Sequence, residues 1–165
     1  MKKTIAVCGS SGVGKTTVAK ILTERTRGAL RSCGEEVKQR AMQLGIEPST
    51  LPSNEHAVID SLTRELAQGT LEMLIVEGRF LDKVLQDVSN TFLVRLVCDD
   101  VIRNNRLFER QATSNLASVP NPPYAAEMIT VSSDGIMQID NSHLSAEETA
   151  DRILRAWANL PKIPG

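Results

Sequence analysis

The stretch Ala6 to Thr17, AVCGSSGVGKTT, decides the fold because it places three glycines in a fixed pattern directly after a short apolar run. The run Ile5 to Cys8 has the composition of a buried strand. From Lys15 onward, apolar residues recur at the spacing of a helix: Val18, Ala19, Ile21 and Leu22. The stretch therefore predicts a strand, a glycine-rich loop and a helix, in that order.

The loop itself matches a known phosphate-binding pattern. Gly9 to Thr16 fits GxxxxGK[ST] at every fixed position, in the strand-to-helix context that the motif requires. Glycines let successive backbone N–H groups surround phosphate oxygens, and the N-terminus of the following helix adds a positive partial charge. Lys15 is expected to reach the β and γ phosphates, and the Thr16 hydroxyl is expected to help hold Mg²⁺. A chance glycine-rich turn is the alternative.

The predicted ligand of this loop is a nucleoside triphosphate. A protein that reads guanine should carry an [NT]KxD element, and the sequence has none. We therefore expect ATP as phosphoryl donor and Mg²⁺ as cofactor. The residues predicted to bind the nucleotide here are Gly9, Ser10, Ser11, Gly12, Val13, Gly14, Lys15, Thr16 and Thr17.

The rest of the chain alternates strand and helix patterns. Apolar runs at 73–76, 92–98 and 136–139 predict strands, and helical periodicity covers 100–111 and the segment after Ser145, where Ser-Ala-Glu-Glu forms a capping box. The helical pattern after the loop is expected to continue through Leu30 and again over 37–44, with no second strand recognised between Leu22 and Val37. The prediction is one domain over 1–165, a three-layer α/β/α P-loop NTPase sandwich with a mainly parallel sheet of about four to five strands.

A further helix is predicted over 55–68. The apolar residues expected on its buried face are Val58, Ile59, Leu62, Leu66 and Ala67.

Composition narrows the function classes. The net charge of −1 and five scattered aromatic residues argue against nucleic-acid and membrane-surface partners. Cys8, Cys33 and Cys98 show no metal-ligand or disulfide spacing, so reduced thiols are expected, and His56 and His143 are read as surface residues. The apolar run at the N-terminus is too short for a signal peptide or a membrane span. We expect a cytoplasmic monomer or small homo-oligomer.

Two further groups carry candidate chemistry. Glu77 and Arg79 end a buried strand, and ligands of parallel sheets bind at the carboxyl ends of the strands. Arg103, Arg106 and Arg110 recur at spacings of three and four, on one side of a helix. The alternatives are a structural ion pair for the first group and a solvated basic face for the second.

Three segments, IAVCGSSGVGKTTVAKILTE, LIVEGR and DGIMQIDNSHLSAEETADRI, resemble the cytidylate kinase family, including its shorter archaeal-type branch. The resemblance implies that Glu77 helps to organise Mg²⁺ and that Arg79 binds the acceptor phosphate. It also implies that Arg106 stacks on adenine and that Arg110 contacts the transferred phosphoryl group. Lys15, Arg79 and Arg110 are therefore the expected catalytic residues.

The same resemblance implies an acceptor region at about 35–70, with Asp60 as a candidate, and a flexible lid at about 111–130. Arg103 is assigned with Asp60 and Arg79 to the acceptor. An ordinary surface aspartate is the alternative for Asp60. Asp140 and Asn141 follow the last strand, where the family's loop approaches adenine; a turn is the alternative there.

One departure from the family bears on function: the sequence has no lysine or arginine between Arg110 and Arg152. The first hypothesis is a Mg-ATP-dependent kinase that phosphorylates a small phosphorylated acceptor, most simply a nucleoside monophosphate such as CMP. The others are a nucleotide-binding regulatory or assembly protein with weak or no transfer, and a kinase for another small metabolite.

Overall fold

A computed structural model describes residues 1–113 and 136–162. In these ranges the strands are β1 (Thr4–Cys8), β2 (Ala29–Ser32), β3 (Leu74–Gly78), β4 (Thr91–Val97) and β5 (Met137–Asp140). They form one sheet in the order β2-β3-β1-β4-β5, and every neighbouring pair is parallel. The predicted α/β class and the strand number are confirmed.

Helices cover both faces of this sheet. They are α1 (Lys15–Thr26), α2 (Cys33–Leu44), α3 (Ser53–Gly69), α4 (Leu81–Val84), α5 (Asp100–Thr113) and α6 (Ala146–Ala158), with a short 3₁₀ helix at Pro48–Thr50. Leu22 of α1 and Ile153 of α6 pack with Ile75 on one face. Ala67 of α3 and Leu81 of α4 pack with Val76 on the other. The three-layer arrangement follows from strands that are apolar on both sides.

The expectation of a helix through Leu30 and of no second strand was wrong. Helix α1 ends at Thr26 because Arg27 adopts the left-handed conformation, with φ of 53°, and the chain then enters β2. A Cβ on Gly28 would lie 2.7 Å from the Met73 carbonyl oxygen, so the turn needs glycine. Since β2 is a short and largely exposed edge strand, it lacks the apolar run that marks a buried one.

The helix predicted over 55–68 exists as α3, but its buried face differs from the expected one. The buried residues are Ile59, Thr63 and Ala67, whereas Val58, Leu62 and Leu66 are about half exposed. The Thr63 hydroxyl donates to the Ile59 carbonyl and accepts from Arg31 Nε, at 2.7 and 2.9 Å. A polar residue with satisfied hydrogen bonds therefore occupies the inner face, which apolar periodicity alone would not reveal.

Two other features of the described chain bear on function. None of its helices combines the length and the apolar character that crossing a membrane requires. The capping box is confirmed, since the Ser145 side chain accepts from the Glu148 backbone N–H at 3.0 Å. Most of the lid predicted at 111–130 lies outside the described residues, and its first three residues form the last turn of α5.

Candidate nucleotide-binding site

The glycine-rich loop runs from the end of β1 to the start of α1 through a backbone that only glycine accommodates. Gly9 has φ of 146°, and a Cβ there would lie 2.5 Å from the Leu96 carbonyl oxygen. Gly12 has φ of 85°, and a Cβ there would lie 2.7 Å from Leu107 Cγ. The loop is thus pressed between the end of β4 and helix α5, which leaves room for no side chain at these two positions.

Lys15 lies at the base of this loop. Its side chain is buried and Nζ donates to the Ser10 carbonyl at 3.0 Å. Burial lowers the pKa of Lys15 from 10.5 to about 8; Glu77 opposes this change, and the positive charges of Arg79 and Arg110 add to it. The charges of Glu77, Arg79 and Arg110 therefore all act on Lys15.

Thr16 and Glu77 come together from α1 and β3. The Thr16 hydroxyl donates to the buried Glu77 carboxylate at 3.2 Å, and the Ser32 hydroxyl at the end of β2 donates to the same oxygen. Hydroxyl and carboxylate oxygens are ligands that Mg²⁺ accepts, and Mg²⁺ is usually held by one or two protein groups together with phosphates and water. The residues present fit the cofactor that the sequence predicts.

Ser32 is a residue that the sequence reading missed. Besides bonding Glu77, its oxygen caps α2 by accepting the Glu35 backbone N–H at 3.3 Å. The signal was present as Ser-Cys-Gly-Glu, a capping-box spacing that starts a helix at Cys33. Ser32 therefore connects the start of α2 to the proposed metal site.

Arg79 reaches back over the glycine-rich loop, where its guanidinium donates to the Ser11 hydroxyl. Asp82, in the short helix α4 that follows Arg79, forms an ion pair with the buried Arg95 of β4 at 2.7 Å. Arg95 was not recognised as a candidate because its place in an apolar strand gave no functional pattern. The pair holds α4 against the sheet directly after Arg79.

The three arginines of α5 occupy different environments. Arg103 is buried beside Gly12, pairs with Asp100 at 3.4 Å, and its Nη1 has no hydrogen-bond partner among the described residues. Arg106 Nη1 lies 3.5 Å from the Val13 carbonyl oxygen. Arg110 is exposed and contributes to the electrostatics of Lys15. The three arginines of α5 therefore do not form a wholly solvated basic face.

Asn141, just after β5, links the glycine-rich loop to α5. Its side chain is buried, and its amide nitrogen donates to the Val13 carbonyl at 2.7 Å. Its backbone and side-chain oxygens accept from Arg106 at 3.3 and 3.4 Å. Asn141 is thus more than a turn residue: it ties together the loop, β5 and the arginine expected to stack on adenine.

Asp60 and Thr17 remain apart from this cluster. Asp60 is exposed on α3, where partial burial raises its pKa and His56 opposes the change. Thr17 is exposed in the first turn of α1. Both histidines are exposed, and within the described ranges no group of three or more His, Cys, Asp or Glu side chains has the arrangement of a metal site.

Comparison with known proteins gives a family match over most of the chain. A family model described as "AAA domain" matches residues 5–121. No curated protein sequence matches the chain.

Solved structures share the fold at low sequence identity. A gluconokinase from Sinorhizobium meliloti 1021 is 18% identical with a TM-score of 0.71, over 96% of this chain and 93% of that one. Shikimate kinase from Aquifex aeolicus vf5 is 16% identical with a TM-score of 0.64, over 94% and 96%. The tunicamycin resistance protein of Deinococcus radiodurans is 19% identical with a TM-score of 0.67, over 100% of both chains.

Proposed function

Because the chain belongs to the AAA domain family that its residues 5–121 match, we propose that it binds ATP with Mg²⁺ and transfers the γ-phosphoryl group to a small molecule. The observation that carries this proposal is the convergence of a buried Lys15, the Thr16 hydroxyl on Glu77, and Arg79 over Ser11. Phosphoryl transfer needs cations around the transferring oxygens and a metal held beside them: Lys15 and Arg79 would supply positive charge, and Thr16 and Glu77 would hold the metal.

Each residue has a distinct part in this proposal. The loop N–H groups bind the β and γ phosphates, Lys15 neutralises their charge, and Thr16 and Glu77 hold Mg²⁺, which withdraws charge from the phosphate oxygens when bound. Arg79 and Arg110 bind the transferred group, and Arg106 stacks on adenine. Arg103, whose Nη1 is buried beside the loop, donates to a phosphate oxygen.

Two observations favour different phosphoryl acceptors. The resemblance to cytidylate kinases supports a nucleoside monophosphate such as CMP, bound by the region at about 35–70, which contains Asp60, and by Arg79 and Arg103 from outside that region. The fold neighbours described as gluconokinase and shikimate kinase favour an acceptor that is not a nucleotide. A nucleotide-binding regulatory protein, the remaining alternative, would bind ATP without transferring its phosphoryl group.

The experiment is to compare wild type with Lys15→Ala, using calorimetry for Mg-ATP binding and a coupled ADP assay for transfer. We expect Lys15→Ala to lower transfer by at least a hundredfold, about 2.7 kcal/mol, with an unchanged circular dichroism spectrum. Lys20→Ala is the matched control, since Lys20 is exposed on the same helix. A wild-type protein that does not bind Mg-ATP would overturn the proposal.

A further inference from the structure

The side chains of Ser32 and Glu77 are brought together by the register of the sheet. Strands β2 and β3 are parallel, and Ser32 and Glu77 lie opposite each other in that pairing. Side chains alternate between the two faces along a strand, so paired residues share a face. Arg31, one residue earlier, bonds Thr63 of α3 on one face, whereas Glu77 bonds Thr16 of α1 on the other. The contact between Ser32 and Glu77 therefore follows from the fold itself.

Two hydroxyl groups occupy the same oxygen of the Glu77 carboxylate. Thr16 donates to Oε1 at 3.2 Å, and Ser32 donates to Oε1 as well. An ionised carboxylate has about four lone-pair sites, two on each oxygen. The two hydroxyls therefore fill Oε1, and neither of them uses Oε2.

Glu77 needs neutral donors of this kind because it is buried. Only 5% of the residue is exposed, and a charge without water must be hydrogen-bonded or paired. The competing partner is Lys15, on which the negative charge of Glu77 acts. A carboxylate that turned to Lys15 would compete with the phosphates for the ammonium group. Hydroxyl donors orient Glu77 without adding charge, which leaves the carboxylate negative for a cation.

Ser32 is itself held in place by a second bond. Its oxygen accepts the Glu35 backbone N–H at 3.3 Å, which makes Ser32 the N-cap of α2. The next residue, Cys33, lies against Gly78 at the end of β3. A serine hydroxyl has one proton to donate, and here that proton goes to Glu77. The start of α2 and the proposed metal site therefore share one hydroxyl group.

We propose that Ser32 is a positioning residue for Mg²⁺: its hydroxyl holds Glu77 so that the second carboxylate oxygen stays available to the metal or to a water bound to it. The inference rests on the proposed function, because this metal belongs to the Mg-ATP of the same site. Ser32 acts through Glu77 rather than as a ligand. Loss of its hydroxyl weakens the binding of Mg-ATP and spares that of metal-free ATP, since the loop N–H groups and Lys15 bind phosphates without Glu77.

A role of Ser32 as a helix cap alone predicts a different result, and the chain contains a matched cap. Ser145 begins α6 with the same Ser-x-x-Glu spacing and accepts the Glu148 N–H at 3.0 Å. Among the described residues, the hydrogen bonds of Ser145 stay within α6. Alanine at either serine removes one N-cap bond, so both substitutions should lower stability similarly. Only Ser32→Ala also removes a bond to Glu77.

The test measures the affinity of the full chain for ATP by titration calorimetry, once with Mg²⁺ and once with EDTA. The ratio of the two dissociation constants is the gain from Mg²⁺. We expect Ser32→Ala to lower this gain about tenfold or more, the size typical for loss of a group that orients a metal ligand. The metal-free Kd of this variant should stay within about twofold of wild type, as should both quantities for Ser145→Ala. Urea unfolding of each variant measures the loss of the cap.

Two further substitutions separate the hydroxyl of Ser32 from its cap. Ser32→Gly lacks the hydroxyl but keeps most of the stability of the cap, because glycine is well tolerated at this position. Ser32→Thr keeps both the hydroxyl and the cap. We expect the glycine variant to lose the gain from Mg²⁺ as the alanine variant does, and the threonine variant to retain it.

The outcomes distinguish the inference from the function beneath it. A wild-type gain from Mg²⁺ in Ser32→Ala or Ser32→Gly, or an equal loss of it in Ser145→Ala, would overturn the role of Ser32 and leave Mg-ATP binding intact. A wild-type protein that binds ATP equally well with Mg²⁺ and with EDTA would overturn the metal site of the proposed function, and the inference with it.

Discussion

At the scale of single residues, Lys15 has a property that nucleotide binding should reveal. In the ligand-free fold its pKa is about 8, lowered from 10.5 mainly by burial. Phosphates placed against the ammonium would raise this pKa again, because an opposite charge favours the charged form. Near pH 8 half of the free protein lacks this proton, so ATP binding should raise the average proton occupancy of Lys15 from about one half towards one.

The prediction is an uptake of about 0.5 proton per ATP at pH 8, and an ATP affinity that falls as pH rises above 8. Calorimetry in buffers with different ionisation enthalpies measures the uptake directly. Lys15→Met should abolish the buffer dependence that belongs to this residue. Identical heats in all buffers for the wild type would contradict the lowered pKa.

The same pKa sets a sign for stability without ligand. Since the folded pKa lies below the unfolded one, the unfolded chain holds more protons between about pH 8 and 10.5. The contribution of Lys15 to folding stability is therefore unfavourable below pH 8 and is relieved as pH rises through this window. The glycine-rich motif therefore places a lysine where its charge lowers the free energy of unfolding.

At the scale of elements, Asn141 is the point where the loop, the end of β5 and helix α5 meet. Asn141→Ala removes the shorter of two hydrogen bonds to the Val13 carbonyl oxygen and the side-chain acceptor of Arg106. We expect ATP affinity to fall about tenfold, roughly 1.4 kcal/mol, with kcat at saturating ATP changed less than twofold. Titration calorimetry and steady-state kinetics measure the two quantities.

Asn104→Ala is the control for this prediction, because Asn104 is an exposed residue of α5. A thermal melt of each variant shows whether the fold persists. If Asn141→Ala lowered kcat and left ATP affinity unchanged, Asn141 would not position the loop for the nucleotide.

Sequence patterns predicted these elements unevenly, for physical reasons. The loop was recognisable because individual positions in it have no room for a side chain and therefore require glycine. Gly9, which packs against the Leu96 carbonyl, is one example. Strand β2 was not, because an exposed edge strand carries no apolar run and ends in Arg31 and Ser32. The inner face of α3 was misjudged because Thr63 is buried through hydrogen bonds rather than apolarity.

At the scale of the whole molecule, the sequence predicted the architecture better than it predicted the connections across it. Buried strands, the loop and a capped last helix suffice to indicate an α/β sandwich, since parallel strands need helical crossovers. Asn141 and Val13 are in contact although they are far apart in the chain. Arg95 and Asp82 form an ion pair although no hydrophobic pattern marks either residue. Such pairs become visible only when strand order is known.

The Arg95–Asp82 pair supplies a test of what holds the whole fold together. The Arg95 side chain is 8% exposed and that of Asp82 is 20% exposed. Arg95→Ala leaves a carboxylate in a largely buried place without its partner, and such a loss costs about 3 kcal/mol. We expect the free energy of unfolding to fall by about that amount, and Arg95→Met to restore part of it through packing of the stem.

The matched comparison is Arg25→Ala, which breaks surface pairs with Glu147 and Asp151 between α1 and α6. Water and salt screen exposed charges, so this substitution should change stability far less than Arg95→Ala. Urea unfolding of the three variants, followed by circular dichroism at two salt concentrations, measures the differences. Only the effect of Arg25→Ala should shrink at high salt. If both alanine variants lost the same stability, the buried pair would have no special part in holding α4, and the turn that carries Arg79, to the sheet.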